Sequence, residues 1–343
     1  MEIVAQAAKS VVTSSAVGCR RWQESLRRAV RDPEQLCRTL SLPAEYEPAA
    51  QAAARSFPVF APWEYIARMR PGDPHDPLLR QVLPLDRELD DVPGYTNDPV
   101  GDEPATLEAG LLQKYESRVL LVTTGSCAVH CRYCFRRHFP YVETPISMDA
   151  WQPALAQIAA DPSIDEVILS GGDPLTIVDR RLSQLARQLE RIGHLQRLRI
   201  HTRLPIMIPS RVDEQLLSWL GDNRLATIVV VHANHPREID ASVAAALGQL
   251  VDSGIVVLNQ SVLLAGVNDD ADALVELSRT LVDLRVMPYY LHQLDRVAGA
   301  AHFEVPMERG VQLVEQMRRR LPGYAVPRYV RERPGAVSKE ILC

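Results

Sequence analysis

Three cysteines, separated by three and then two residues, stand in Cys127-Ala-Val-His-Cys131-Arg-Tyr-Cys134. Three thiolates in so short a loop can grip one face of a cubane iron–sulfur cluster and leave the fourth iron without a protein ligand. An open iron is a place for chemistry rather than for electron storage alone. Two plainer readings stand beside this one. Structural zinc takes four N or S ligands, usually delivered as paired units, and no second pair follows here, although His130 and His138 are available to complete a set. The thiols can also be unrelated buried residues.

Further polar residues carry weaker signals. In Ser170-Gly-Gly-Asp-Pro-Leu175 a strand end runs into two glycines, which permit positive φ and close approach of backbone to a ligand. On its own the motif is equally a tight turn. Arg136-Arg137-His138 directly follows the cysteine loop, so Arg136 is either part of a solvated basic patch or a two-pronged grip for a carboxylate. Asp295 lies just beyond an apolar run, where a lone acid is usually a surface residue. Lys339, after Arg333-Pro-Gly-Ala-Val-Ser, has the plain reading of a solvated terminal lysine. A flexible Pro-Gly segment also lets such a lysine reach into a cavity and form a Schiff base.

The elements that must position these residues are legible from residue 118 onward. Short β-branched or leucine-rich runs occur at 119–123, 166–170, 198–202, 227–232, 255–260 and 286–290. Amphipathic stretches separate them, with Leu182, Leu185, Leu189 and Ile192 on one helical face and Leu274, Leu277, Leu281 and Leu284 on another. Strands alternating with helices predict parallel βαβ units, and near-continuous apolar strands predict a sheet buried on both faces. The cysteine loop, Gly171-Gly172-Asp173, His201 with Arg203, His232 and Gln260 then fall at successive strand ends. Active sites of parallel α/β sheets collect at that end.

Upstream, residues 20–56 read as helical, with Trp22, Leu26 and Val30 at helical spacing. Residues 57–104 are rich in proline and aspartate and read as an extended segment wrapped on the main domain, since so long a free linker is unusual in a compact enzyme. The expected division is a wrapping segment at 1–110, a partial (β/α)6 TIM-type barrel at 111–300, and a C-terminal segment at 301–343 that carries Lys339.

The 343 residues have 46% hydrophobic and 24% charged content and a net charge of −5, ordinary for a soluble globular protein and without the basic footprint of a nucleic-acid binder. No apolar run approaches the roughly eighteen residues of a membrane span. The N-terminus has Glu2 and Lys9 embedded and no signal-peptide pattern. Six cysteines, three of them clustered, suit a reducing cytosol, with Cys19, Cys37 and Cys343 as ordinary thiols. The expected location is the cytoplasm.

Cys127-x3-Cys131-x2-Cys134 together with Gly171-Gly-Asp-Pro resembles the radical S-adenosylmethionine superfamily. Cys131-Arg-Tyr-Cys-Phe-Arg-Arg-His138, Arg199-Ile-His-Thr-Arg203, Asn259-Gln-Ser-Val-Leu-Leu264, Gly266-Val-Asn-Asp269 and Ser338-Lys339 narrow this to the lysine 2,3-aminomutase family, from about residue 71 to the C-terminus. Met287-Pro-Tyr-Tyr-Leu-His292 is most similar to the branch that makes (R)-β-lysine for elongation factor P.

The resemblance implies that Cys127, Cys131 and Cys134 ligate a [4Fe–4S] cluster. Gly171, Gly172, Asp173, His232 and Gln260 would lie along S-adenosylmethionine. Lys339 would carry pyridoxal 5′-phosphate, with Tyr115 and Arg118 beside it. Arg136 would hold the substrate carboxylate, and Asp295 and Glu332 the distal ammonium of L-lysine. The implied reaction is a 1,2-amino shift giving (R)-β-lysine, with an external donor of the flavodoxin or ferredoxin type and a functional link to elongation factor P and its ligase. A homo-oligomer is compatible with it.

The free-lysine enzymes carry aspartate where Glu332 stands, a cysteine where Asp270 stands, and a C-terminal zinc-binding extension expected to be absent here. The alternatives are an aminomutase acting on glutamate, disfavoured by an acid pair facing an acid, and a non-catalytic iron–sulfur or zinc protein.

Overall fold

The structure, a computed structural model, describes residues 21–343. Cys19 and the stretch read for a leader lie outside the described residues. The chain enters through three short helices: residues 21–28, α1 (Pro33–Thr39) and α2 (Tyr46–Ala54). Asp32 starts α1 by accepting from the Glu34 backbone N–H, with Pro33 in the first turn, where its missing N–H costs nothing.

Residues 57–104 contain only short turns, among them Trp63–Ile66 and Pro77–Arg80, yet Leu78, Leu79, Val82 and Leu83 within them are buried. This is the expected wrap. Arg68 and Gln81 reach residues more than a hundred positions later: Arg68 donates to the Ile206 carbonyl at 2.7 Å, and Gln81 to Glu238 at 3.0 Å.

One ten-stranded sheet follows, its spatial order identical to chain order. β1 (Thr106–Glu108), β2 (Leu111–Tyr115) and β3 (Arg118–Thr124) form an antiparallel meander. From β3 the sheet is parallel through β4 (Glu166–Gly171), β5 (Arg197–Thr202), β6 (Ala226–His232), β7 (Val256–Val262) and β8 (Met287–His292). Each parallel step needs a crossover. The helices α3 (Met148–Ala160), α4 (Asp179–Glu190), α5 (Glu214–Gly221), α6 (Ala241–Asp252) and α7 (Ala271–Asp283) supply them. Leu182, Leu185 and Leu189 of α4, and Leu274, Leu277 and Leu281 of α7, are buried as their spacing predicts.

The partial barrel is present, and it runs one parallel strand further than six. α8 (Met307–Arg318) delivers β9 (Arg328–Arg331), which pairs parallel with β8, and β10 (Glu340–Ile341) folds back antiparallel on β9. α8 fits because Gly310 lies against Tyr329: a Cβ there would meet the Tyr329 hydroxyl at 2.1 Å.

The expectation of a sheet buried on both faces holds for β4, where residues 166–170 are all buried, and is corrected for β5. Along β5 burial alternates, with Leu198, Ile200 and Thr202 buried while Arg197, Arg199 and His201 stay half-buried. The apolar face meets the helices; the other face carries polar residues toward the interior of the curved sheet.

Candidate active site

The cysteine loop leaves the end of β3 and is held from behind by the wrap. Arg132, fully buried, donates from Nε to Glu88 at 2.8 Å and from Nη1 to the Phe57 carbonyl at 2.8 Å, while Arg137 reaches the same Glu88 carboxylate at 2.8 Å. The His130 N–H bonds the Phe60 carbonyl at 2.9 Å and the Arg132 N–H the Gln81 carbonyl at 2.9 Å. A loop with few bonds of its own is thereby fixed by residues from 44 to 75 positions away.

The three thiols meet the first requirement for a cluster. Burial raises the Cys127 pKa well above the ordinary thiol value, with further upward contributions from Cys134, Asp173 and Cys131. Cys134 is pushed up to about 11 by burial and then by Cys131. Burial thus keeps Cys127 and Cys134 as thiols, and a cation is needed to hold them as thiolates. Among the described residues no group of His, Cys, Asp or Glu converges tightly enough for a single metal ion. Three thiols on one short loop, with no paired Cys or His unit following in the chain, suit a cluster better than a four-ligand structural zinc.

The next strand ends close over the loop. The backbone of the loop fills the space at Gly172, where a Cβ would lie 2.3 Å from the Ser126 carbonyl. Gly171 has φ +115°, which side chains rarely adopt. The Asp173 carboxylate accepts from the Thr202 hydroxyl at 2.7 Å, the Arg203 N–H at 2.7 Å and the Leu175 N–H at 3.0 Å. These three residues therefore join the ends of β3, β4 and β5. His232 and Gln260 are register partners across β6 and β7. Burial, then Arg203, pushes His232 down to about 3, so it is neutral, and its Nε2 lies 3.2 Å from the Tyr133 hydroxyl.

A second group gathers where β2, β3, β8, β9 and β10 meet. Tyr115 and Arg118 are register partners, the guanidinium 4.7 Å from the ring centroid. The Tyr115 hydroxyl donates to Glu332 at 2.7 Å, and Lys339 forms an ion pair with the other Glu332 oxygen. Burial opposes the charge on Glu332, but Lys339 outweighs it and holds the carboxyl below its ordinary range.

Asp295 is half-buried nearby, and desolvation pushes its carboxyl up to about 7, Lys339 opposing and Glu332 reinforcing the shift. Sequence reading thus named residues that do come together: Tyr115, Arg118, Asp295, Glu332 and Lys339. An amine, a guanidinium and a phenol around one space suit an aldehyde cofactor bearing a phosphate.

Other members of the site were missed. Arg136 donates from Nε to Asp102 at 2.6 Å and from Nη1 to Ser170 Oγ at 3.3 Å. Lys114 lies 2.6 Å from Asp102 and 3.7 Å from Glu332. Burial works against the Asp102 charge, yet Arg136 and Lys114 hold its carboxyl below the ordinary range. Asp102 and Lys114 thus link Arg136 to Glu332.

His201 and His292 face the same interior. Burial pushes both well below the ordinary imidazole value, assisted for His201 by Arg199, Lys339 and Arg136 and for His292 by Lys339. The buried Nε2 of His201 has no hydrogen-bond partner among the described residues, an orphan that a ligand would satisfy.

Residues 116–201, which include the three cysteines, match the family description of a 4Fe-4S single cluster domain. An L-lysine 2,3-aminomutase of Escherichia coli (strain K12) is 45% identical over 333 residues, covering 97% of this chain and 97% of that protein. The chain belongs to the lysine 2,3-aminomutase family. A further L-lysine 2,3-aminomutase, from Haemophilus influenzae, is 44% identical over 93% of this chain and 95% of its own length. That of Clostridium subterminale is 33% identical over 93% of this chain but only 76% of its own length.

The relationship therefore reaches further toward the N-terminus than residue 71, where the sequence motifs began. The chain is an enzyme of the isomerase class. No helix among the described residues is long and apolar enough to cross a membrane.

Proposed function

We propose that this aminomutase converts L-α-lysine to (R)-β-lysine in the cytoplasm, for attachment to elongation factor P by a separate ligase. The gathering of opposite charges in one neighbourhood supports the substrate. The Arg136 guanidinium is linked through Asp102 and Lys114 to Glu332, which lies with Asp295 beside Lys339. Lysine is the common amino acid that has an α-carboxylate at one end and a primary ammonium four methylenes further along.

In this reading Cys127, Cys131 and Cys134 hold the cluster. Gly171, Gly172, Asp173, His232 and Gln260 line the S-adenosylmethionine site, and Lys339, Tyr115 and Arg118 hold pyridoxal phosphate. When bound, these groups supply hydrogen abstraction from an unactivated carbon and the migration of nitrogen to its neighbour, chemistry beyond any side chain.

The protein supplies position. Asp102 and Ser170 fix two edges of the Arg136 fork and leave Nη2 to meet a carboxylate. Lys339, once engaged with its cofactor, no longer neutralises Glu332, which is then free for the substrate ammonium. His201 and His292, held neutral by burial, put no competing cation beside that ammonium. An external one-electron donor of the flavodoxin or ferredoxin type completes the system.

The test is anaerobic turnover by reconstituted protein with S-adenosylmethionine, a reductant and L-lysine, the product resolved by chiral chromatography. Formation of (R)-β-lysine, with L-glutamate unreacted, is expected. No β-lysine from protein loaded with both cluster and pyridoxal phosphate sinks the proposal.

A further inference from the structure

Arg203 directly follows β5, and its guanidinium is divided between two duties. Nη1 lies 2.7 Å from Sγ of Cys131. Nη2 donates to Gln81 Oε1 at 2.6 Å and to Glu238 Oε2 at 2.9 Å. The rings of Tyr133 and Tyr65 lie 5.7 and 5.8 Å from its central carbon. The fork is locked from its base as well, because the Arg203 backbone N–H bonds Asp173 at 2.7 Å.

Glu238 is fully buried and is itself saturated, accepting from Gln81 at 3.0 Å and from the Asn234 N–H at 2.9 Å. Arg203 thus cannot swing from the sulfur without breaking a buried ion pair.

Packing alone does not require this arrangement. A buried cation needs one carboxylate, which Glu238 provides; it does not need a sulfur. A charged N–H donor aimed at a cluster thiolate withdraws electron density from it and favours the more negative, reduced state. A carboxylate behind that donor has the opposite effect, weakened by its greater distance from the sulfur.

The geometry points to Arg203 as a positioning residue that raises the reduction potential of the cluster through Cys131, with Glu238 as the counter-charge that limits the rise. The step concerned is uptake of one electron by the cluster from an external one-electron donor, which is oxidised by one electron; no proton or bond is exchanged. The inference rests on Cys131 being a cluster ligand.

The experiment is an anaerobic redox titration of reconstituted protein without S-adenosylmethionine. The reduced cluster is followed by electron paramagnetic resonance, with iron and sulfide content measured in parallel. Arg203→Gln is expected to lower the reduced fraction at fixed potential about tenfold, a shift of about 59 mV for one electron. Arg203→Lys, which keeps the charge but not the fork, is expected to shift less in the same direction. Glu238→Gln, which removes the counter-charge and keeps the hydrogen-bonding shape, is expected to shift the opposite way.

The signs separate tuning from scaffolding. An unchanged potential in Arg203→Gln with full iron content overturns the inference. Shifts of the same sign in Arg203→Gln and Glu238→Gln overturn it too. Failure of all three variants to retain iron assigns Arg203 to building the loop and equally overturns it. Full iron retention in Cys131→Ala would instead remove the ligand assignment beneath it, a separate failure.

Discussion

The two halves of the active site are charged in different ways. Around the cysteine loop the cations have rigid partners: Glu88 takes Arg132 and Arg137, and Glu238 takes Arg203, all with buried side chains. Around Lys339 the partners are interchangeable. Glu332 is shared among Lys339, Lys114 and Tyr115, and Asp295 is half-buried with its carboxyl pushed up to about 7 by desolvation. A region that holds a redox group gains from a field that does not move. A region that admits an amino acid needs charges that can exchange one cation for another, because an ion pair already complete offers nothing to a ligand.

The contrast can be broken at several points. The largest effect is expected from Lys339→Ala: visible absorption of bound pyridoxal phosphate disappears and turnover falls to background, while iron content and melting temperature stay near wild type. A concurrent loss of iron would show that the two halves are not separable.

Next is Glu88→Ala, which strands two buried guanidinium groups. A loss of about 3–5 kcal/mol is expected in urea unfolding, with the cluster shed during gel filtration.

Asp295→Asn is smaller and depends on pH. Its carboxyl in the folded chain is raised from 3.8 to about 7, so it is ionised for an ammonium only above that range. Wild-type KM for lysine is expected to fall as pH rises through about 7, and the variant to lack the step. At pH 8 the variant's KM should be higher by about 10- to 150-fold, the worth of one charged hydrogen bond. A raised carboxyl also burdens the folded state wherever the unfolded chain is already ionised. The asparagine variant should therefore be the more stable protein at pH 8, by on the order of 1 kcal/mol, and the difference should close below about pH 4.

The smallest effect is expected at the exposed Arg331–Glu340 pair of the β9–β10 hairpin, 2.7 Å apart. Glu340→Ala should change stability by less than about 1 kcal/mol, against several for Glu88.

The same two halves differ in how far the sequence reveals them. The cysteine loop announces itself because its three cysteines are neighbours in the chain, and the strands of the barrel show as apolar runs within a residue or two of β3 to β8. β9 is four residues with arginine at each end, too short and too charged to stand out, and only its pairing with β8 makes it a strand.

Lys339 and Glu332 were visible only through family resemblance, because nothing in a Pro-Gly tail indicates that it folds back onto a sheet. Asp102 and Lys114 were invisible for a related reason. Neither carries a motif in its own neighbourhood, and the Asp102–Arg136 bond joins residues 34 positions apart. The glycine pair was noticed for a ligand, whereas the structure shows it also making room for the loop backbone at Gly172.

A sheet whose strands pair in the order of synthesis has a consequence for how the molecule comes into being. Each new strand leaving the ribosome finds its neighbour already present, so the barrel can grow by local additions. The wrap is emitted earlier, yet Arg68 and Gln81 must wait for Ile206 and Glu238, between 138 and 157 residues downstream. Until then the cysteine loop lacks Arg203 and a settled Gln81. The nascent chain therefore carries Cys127, Cys131 and Cys134 for more than a hundred residues of synthesis, on the order of ten seconds at ribosomal speed, before the pocket around these thiols can close.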